Sequence, residues 1–342
     1  MAATTADSTR TPSTTEQFLR RYGLRLAIFT LLLIIIVWRY ALDDRLTTSL
    51  LSGTLRQSTP LILGALCGLW GERSGVINIG IEGQMLLSAF VAFLVNSYTG
   101  NLFLGVVVGI GMGALLGLFL AWMSVTLKMD QIIGGTVINI LAFGITGYFY
   151  QIGLTTSGKL QAIPLGPLAE IPLIGPVLFN NPPLTYLTLL LVALSHYLLF
   201  FTRWGLRSRA VGEHPRAADT VGINVFLTRY VNVTLGGALA GLAGAYLTLE
   251  AVGTFERAMT NGRGFLALAV MIFGKYTPFG AWGAALLFGF TVALNTQLQF
   301  TGLDIPPQFV GMLPYILTIV VLAGFVGRTH IPAADGVPYE KE

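Results

Sequence analysis

The sequence predicts an all-α polytopic membrane protein with about ten transmembrane helices, on three observations. Of its 342 residues, 54% are hydrophobic, only 11% are charged, and the apolar residues gather into runs long enough to cross a bilayer. Soluble domains carry about a quarter charged residues. The 41 glycines suit membrane helices, which pack closely through small residues, better than soluble ones, where each costs roughly 1 kcal/mol against alanine.

In chain order, residues 1–23 read as a disordered cytoplasmic tail, rich in Ala, Thr and Ser and without an apolar signal-peptide region. The transmembrane domain follows over 24–327, with spans expected at 24–42, 50–70, 76–95, 102–127, 132–152, 184–202, 229–249, 279–299 and 309–327. The run Gly262–Gly274 is short for a crossing; it reads either as a tenth helix begun near Phe255 or as a re-entrant segment. Residues 328–342 form a C-terminal tail.

Charge bias assigns the sides. Residues 203–228 carry Arg203, Arg207, Arg209 and Arg216, with Arg229 next, against Glu213 and Asp219, whereas 153–183 carry only Lys159 and Glu170. The first connection is therefore expected in the cytoplasm and the second outside, with both termini cytoplasmic if there are ten crossings. The net charge of +4 flanks apolar spans instead of forming a patch with interleaved aromatics, which excludes nucleic acid as a partner and leaves membrane lipid. The single Cys67 is expected to pack, since no second cysteine exists to pair with it.

Gly105, Gly109, Gly113 and Gly117 recur every fourth residue, a smooth stripe for close helix packing, and Gly236, Ala240 and Gly244 repeat it. The chemistry is concentrated elsewhere. Residues 71–89 place Asn78, Glu82 and Gln84 in an otherwise apolar segment, with Glu82 about 9 Å into the membrane if helix begins at Val76. Asn78 and Glu82 would share a helix face and Gln84 would point away, unless Gly80 and Gly83 break the helix. These groups line a transport path, or Glu82 braces the fold by bonding neighbouring helix ends or pairing with Arg73. Asn139 and Phe143, one turn apart, suit a neutral ligand with a flat face such as a nucleobase, or else an interhelical hydrogen bond beside a lipid-facing ring.

The connection at 203–225 differs from the others. Pro215 can open a short helix, Gly222 can end it, and Gly212, Glu213 and His214 lead into it. It docks into a groove on a cytoplasmic partner, or it is a solvated basic connector. Enzyme signatures are missing: Gly274-Lys275 is followed by Tyr276 and not Ser or Thr, which excludes a Walker A loop. There is no HExxH, GxSxG or Cys/His cluster, and His196 is expected to hydrogen-bond between helices.

GERSGVINIGIEGQMLL at 71–87, DQIIGGTVINILAFGIT at 130–146, VGEHPRAADTVGINV at 211–225, GGALAGLAGAYL at 236–247 and the stretch 262–289 resemble permease subunits of ATP-binding-cassette importers of the branched-chain amino acid and simple-sugar group. The ERSGVINIGIEGQ wording is most similar to the nucleoside branch. The resemblance implies a type II-like bundle with discontinuous helices in the bacterial inner membrane. It implies a paralogous permease as heterodimer partner, a cytoplasmic ATPase that holds ATP and Mg, and an external substrate-binding protein or lipoprotein. The chain itself would bind no cofactor. It places the ATPase-coupling segment at Gly212, Glu213, Pro215, Ala217 and Ala218, with Arg216 inside it, and leaves Asn78, Glu82, Gln84, Asn139 and Phe143 as the residues of the path. Nucleoside leads among substrates, then simple sugar, then branched-chain amino acid. A secondary transporter carrying protons on Glu82 is the alternative of a different class.

Overall fold

A computed structural model describes residues 36–37, 39–150, 153–300, 309, 311–312, 316 and 330–341. The tail 1–23 and most of the spans expected at 24–42 and 309–327 lie outside the described residues. The chain divides into units 1–49 and 50–342, and the bundle is the second.

Helix α1 (Asp44–Glu72) contains Pro60 and is followed by α2 (Ile81–Thr99), which Gly100 ends in the left-handed conformation at φ 69°. Asn101 caps α3 (Leu102–Ala121) by accepting the Leu104 N–H, and α3 continues through a wider turn over Trp122–Thr126. Asp130 caps α4 (Gln131–Phe149) in the same way. The connection to α6 holds two short antiparallel strands, β1 (Ile163–Pro164) and β2 (Asn180–Asn181), with α5 (Ile174–Leu178) between them. Then come α6 (Pro183–Phe201), α7 (Arg203–Glu213), α8 (Pro215–Thr220) and α9 (Val225–Tyr246), the last prolonged by a wide turn over Leu247–Val252. Two more helices follow, α10 (Arg263–Phe273) and α11 (Pro278–Phe300).

Among the described residues, six helices are long and apolar enough to cross a membrane: α2, α3, α4, α6, α9 and α11 with their extensions. The chain is thus a multi-pass membrane protein, but the expected count of about ten is not established by these residues. Three boundaries differ from the sequence reading. The span expected at 76–95 starts at Ile81, because Arg73–Gly80 is turn and extended backbone after Gly75 takes φ 85°. The connection at 203–225 is two helices, because Thr202 caps α7 through the Gly205 N–H before Pro215 opens α8. At 253–273 only α10 is helical. The chain there runs from Gly253, whose carbonyl accepts from Thr156 in the 153–182 connection, to Tyr276, whose carbonyl accepts from Arg73 at the end of α1. It passes from one end of the bundle to the other with an irregular first half.

The glycine stripe of α3 packs on α9. A Cβ on Gly113 would overlap the Gly237 carbonyl oxygen, and one on Gly117 would sit 2.7 Å from the Val233 carbonyl oxygen. The partner glycines on α9 are Gly237 and Gly241, not the stripe that the four-residue spacing singled out. Gly236 instead meets the Cys67 backbone of α1, and Gly244 the backbone of α2. Small residues on several faces let α9 touch three helices at backbone distance. His196 packs its ring on Phe279, centroids 4.6 Å apart, in place of the expected interhelical hydrogen bond.

Gly113→Ala is expected to lower the melting temperature in detergent, an overpacking cost of about 1–3 kcal/mol. Gly111→Ala, where a Cβ meets nothing within 4 Å, is expected to leave it unchanged or slightly raised.

Candidate functional site

The break between α1 and α2 carries the polar residues that the sequence singled out. Val76 N–H returns to the Gly71 carbonyl at 3.1 Å and Ile77 N–H donates to Gln131 Oε1 of α4 at 2.7 Å, so the irregular backbone finds partners on both sides. Asn78 Nδ2 donates to Gln84 Oε1 at 3.1 Å and to Cys67 Sγ at 3.3 Å. The expectation that Asn78 and Glu82 share a helix face fails because Asn78 is not in a helix. The break turns Asn78 onto Gln84 and frees Glu82 to point elsewhere. Cys67, expected only to pack, is part of this polar cluster.

Glu82 accepts the Gly262 N–H at 2.8 Å on one oxygen and the Gly264 N–H at 2.6 Å on the other. The sequence Gly262-Arg263-Gly264 offers α10 no capping side chain, so a carboxylate from α2 supplies the cap and faces the positive end of the helix dipole. Past the other end of α10, Arg73 Nε and Nη2 both donate to the Tyr276 carbonyl, at 3.1 and 2.7 Å. Of the two bracing roles open for Glu82, the structure shows the bond to a neighbouring helix end.

Asn139 spends both ends of its amide on the same region: Oδ1 accepts the Gly83 N–H at 2.7 Å and Nδ2 donates to the Ile79 carbonyl at 3.0 Å. Gly83 is needed there, because a Cβ would lie 2.7 Å from Asn139 Cα. Asn78, Glu82, Gln84 and Asn139 are therefore all buried around the break, Asn78 and Gln84 bonded to each other and Glu82 and Asn139 each holding backbone groups. Phe143 is not; it is 42% exposed on the outer face of α4.

Two further features were not singled out. A cavity of about 760 Å³ lies at the end of the bundle that carries the 153–182 connection, lined among others by Arg56, Gln57, Tyr246, Glu250, Asn261 and Arg263. Glu250 caps α6, accepting Leu184 N–H at 2.7 Å and Thr185 N–H at 3.1 Å, where Pro182 and Pro183 leave no side-chain cap. The test that found Glu82, an ionisable group in an apolar run, also applies to Arg56 and Glu250.

At the opposite end, α7, α8 and residues 330–341 pack together. Gly212, Glu213, Pro215, Arg216, Ala217 and Ala218 all lie on this elbow: Gly212 is buried against the Arg73 carbonyl, Ala218 is buried, and Pro215, Arg216 and Ala217 border a groove of about 540 Å³. Burial pushes the Asp335 carboxyl up to about 7, against the pull of the Arg229 guanidinium. Among the described residues no group of three or more His, Cys, Asp or Glu can hold a metal ion.

A family model described as "Branched-chain amino acid transport system / permease component" matches residues 50–322. The guanosine ABC transporter permease protein NupQ of Bacillus subtilis is 41% identical over 308 residues, covering 84% of this chain and 95% of that protein. The nucleoside ABC transporter permease protein NupC of Lactococcus lactis is 40% identical, covering 85% and 96%. NupP, a second guanosine ABC transporter permease protein of Bacillus subtilis, is 28% identical, covering 80% and 81%. No solved structure matches.

Removing the Glu82 carboxylate strips two buried amides of their acceptor. Glu82→Ala is expected to destabilise the protein by about 2 kcal/mol or more, and Glu82→Gln, which keeps one carbonyl acceptor, by less. Thermal unfolding of the purified variants reads this order; equal midpoints for wild type and Glu82→Ala would contradict the capping role.

Proposed function

The chain belongs to the branched-chain amino acid transport system permease family, and from that premise we propose that it is the transmembrane subunit of an ATP-driven importer of nucleosides. The observation that carries this reading is the 41% identity to a guanosine permease over 95% of that protein's length. A permease subunit is not an enzyme; ATP with its Mg is hydrolysed in partner subunits. The occurrence in one bacterium of two guanosine permeases, NupQ and NupP, 41% and 28% identical to this chain, supports a paralogous permease as partner here. A cytoplasmic ATPase and an external binding protein complete the assembly in this reading, in a bacterial inner membrane.

The roles follow from the two ends of the bundle. The excess of arginine over 203–229 puts α7 and α8 in the cytoplasm, where the ATPase seats on the elbow around Pro215. The 760 Å³ cavity then opens outside and receives solute from the binding protein. It is large enough for a nucleoside, whose hydroxyls and base edges match the amides and guanidiniums of Gln57, Asn261, Arg56 and Arg263. Asn78, Glu82, Gln84 and Asn139, buried around the break, form the inner wall of the path in this reading. A proton-carrier role for Glu82 is disfavoured because protonation would weaken the cap that it provides to α10.

Reconstituted with its partner subunits in liposomes, the chain is expected to take up labelled guanosine only with Mg-ATP on the ATPase side. Unlabelled nucleosides should compete, and a hundredfold excess of glucose should not. Uptake by the chain alone, driven by a pH gradient without ATP, would overturn the assignment. Competition by glucose in place of nucleosides would move the substrate to the sugar branch.

A further inference from the structure

We propose that the C-terminal segment Ile331–Lys341 is a transmission strut through which movement of the α7–α8 elbow reaches the break between α1 and α2. The proposal rests on the reading that the elbow receives the stroke of a partner ATPase. The segment has no regular secondary structure, only turns such as Asp335 N–H to the Pro332 carbonyl at 3.1 Å. Lys128, between α3 and α4, pairs with Glu340 at 2.6 Å, and the remaining contacts run to the elbow and to the break.

Toward the elbow, Ala334 N–H donates to the Gly212 carbonyl at 2.9 Å and Ala333 N–H to Glu213 Oε2 at 3.3 Å. His330 Nε2 lies 3.1 Å from Glu213 Oε1, and Lys341 Nζ 3.6 Å from Asp219 on α8. Tyr339 is only 6% exposed, inserted among Val211, Ala218 and Val225. Toward the break, Gly75 packs so tightly on the Ala334 carbonyl that a Cβ would stand 2.9 Å from it, and Gly336 lies on the Ile77 side chain. Arg229 of α9, 1% exposed, joins the two: its Nε donates to the Ser74 carbonyl at 3.1 Å and its Nη1 to the Val337 carbonyl at 2.9 Å.

The elbow also meets the break directly, where Gly212 packs against the Arg73 carbonyl. That contact resists compression and so transmits a push. A pull needs bonds, and the segment supplies them to the elbow on one side and, through Arg229, to the break on the other. A segment bonded to both and folded by neither alone follows both.

The test uses the complete transporter in liposomes, comparing wild type with Tyr339→Ala, Tyr339→Phe and a chain ended before Gly336. Tyr339→Ala and the shortened chain should assemble and keep basal ATP hydrolysis, while guanosine moved per ATP falls at least fivefold. Tyr339→Phe, which keeps the buried ring, should restore the ratio. Hydrogen exchange in the wild-type complex gives a readout that does not depend on variants folding: residues 71–80 and 331–341 should change protection together on ATP binding. A wild-type ratio in both Tyr339→Ala and the shortened chain, or protection changing in 71–80 but not in 331–341, overturns the strut. Absence of ATP-dependent uptake by wild type would instead overturn the importer reading, and with it the strut.

Discussion

The constraint on which the structure depends is that a helix beginning within the packed bundle must have its first N–H groups answered, and where its own sequence offers no capping side chain another element supplies the acceptor. Helix α10 begins in this way, after ten irregular residues from Gly253 to Gly262. Glu82 meets the need with one oxygen for each of two amides. Arg73 answers the Tyr276 carbonyl past the opposite end, so the charges lie as the helix dipole favours, anion at the start and cation at the finish. The irregular backbone from Arg73 to Gly80 follows from the same clamp. It must carry the chain along the length of α10, roughly 16 Å for 11 residues, and extended residues cover that distance in fewer steps than a helix does.

Glu250 solves the same problem for α6. Two prolines start that helix and neither offers a side-chain acceptor, so the carboxylate takes the Leu184 and Thr185 amides. Glu82 reaches from α2 to α10 and Glu250 from the extension of α9 to α6, which fixes helices laterally as well as closing their ends. Burying an acidic residue is expensive, and hydrogen bonds offset the cost, two to Glu82 and three to Glu250. Burial of a carboxylate here therefore signals a helix end close by, as much as it signals solute.

Local chemistry was legible in the sequence. Pro215 and Gly222 bound α8, Gly80 lies where the break gives way to α2 while Gly83 is already in that helix, and the α3 glycines make the close packing their spacing implies. What could not be read was partnership over distance. Glu82 and Gly262 are 180 residues apart, and nothing in either segment names the other. Helical spacing sets Asn78 and Gln84 on opposite sides unless the helix breaks at Gly80 and Gly83; the break is there but begins earlier, at Arg73–Gly75, and it brings the two amides together. The glycines of α9 were sorted into one stripe although three helices compete for them. Residues 330–341 carry no apolar period, so they read as a loose tail, yet Arg229 and the Gly212 carbonyl bind them into the fold.

These contacts form one line through the bundle. The elbow touches residues 331–341; those touch Ser74 and Gly75 through Arg229 and Ala334; the break leads in six residues to Glu82; and Glu82 holds the amides on either side of Arg263, which lines the cavity at the far end. The links are of three kinds: backbone packed on backbone at Gly212, Gly75 and Ala334, buried side chains of Arg229 and Glu82 bonded to backbone, and the chain itself from the break to Glu82. Arg229 and Glu82 have long side chains, but each is 1% exposed and bonded at two of its polar atoms, so burial and paired bonds remove the freedom that their stems would otherwise have.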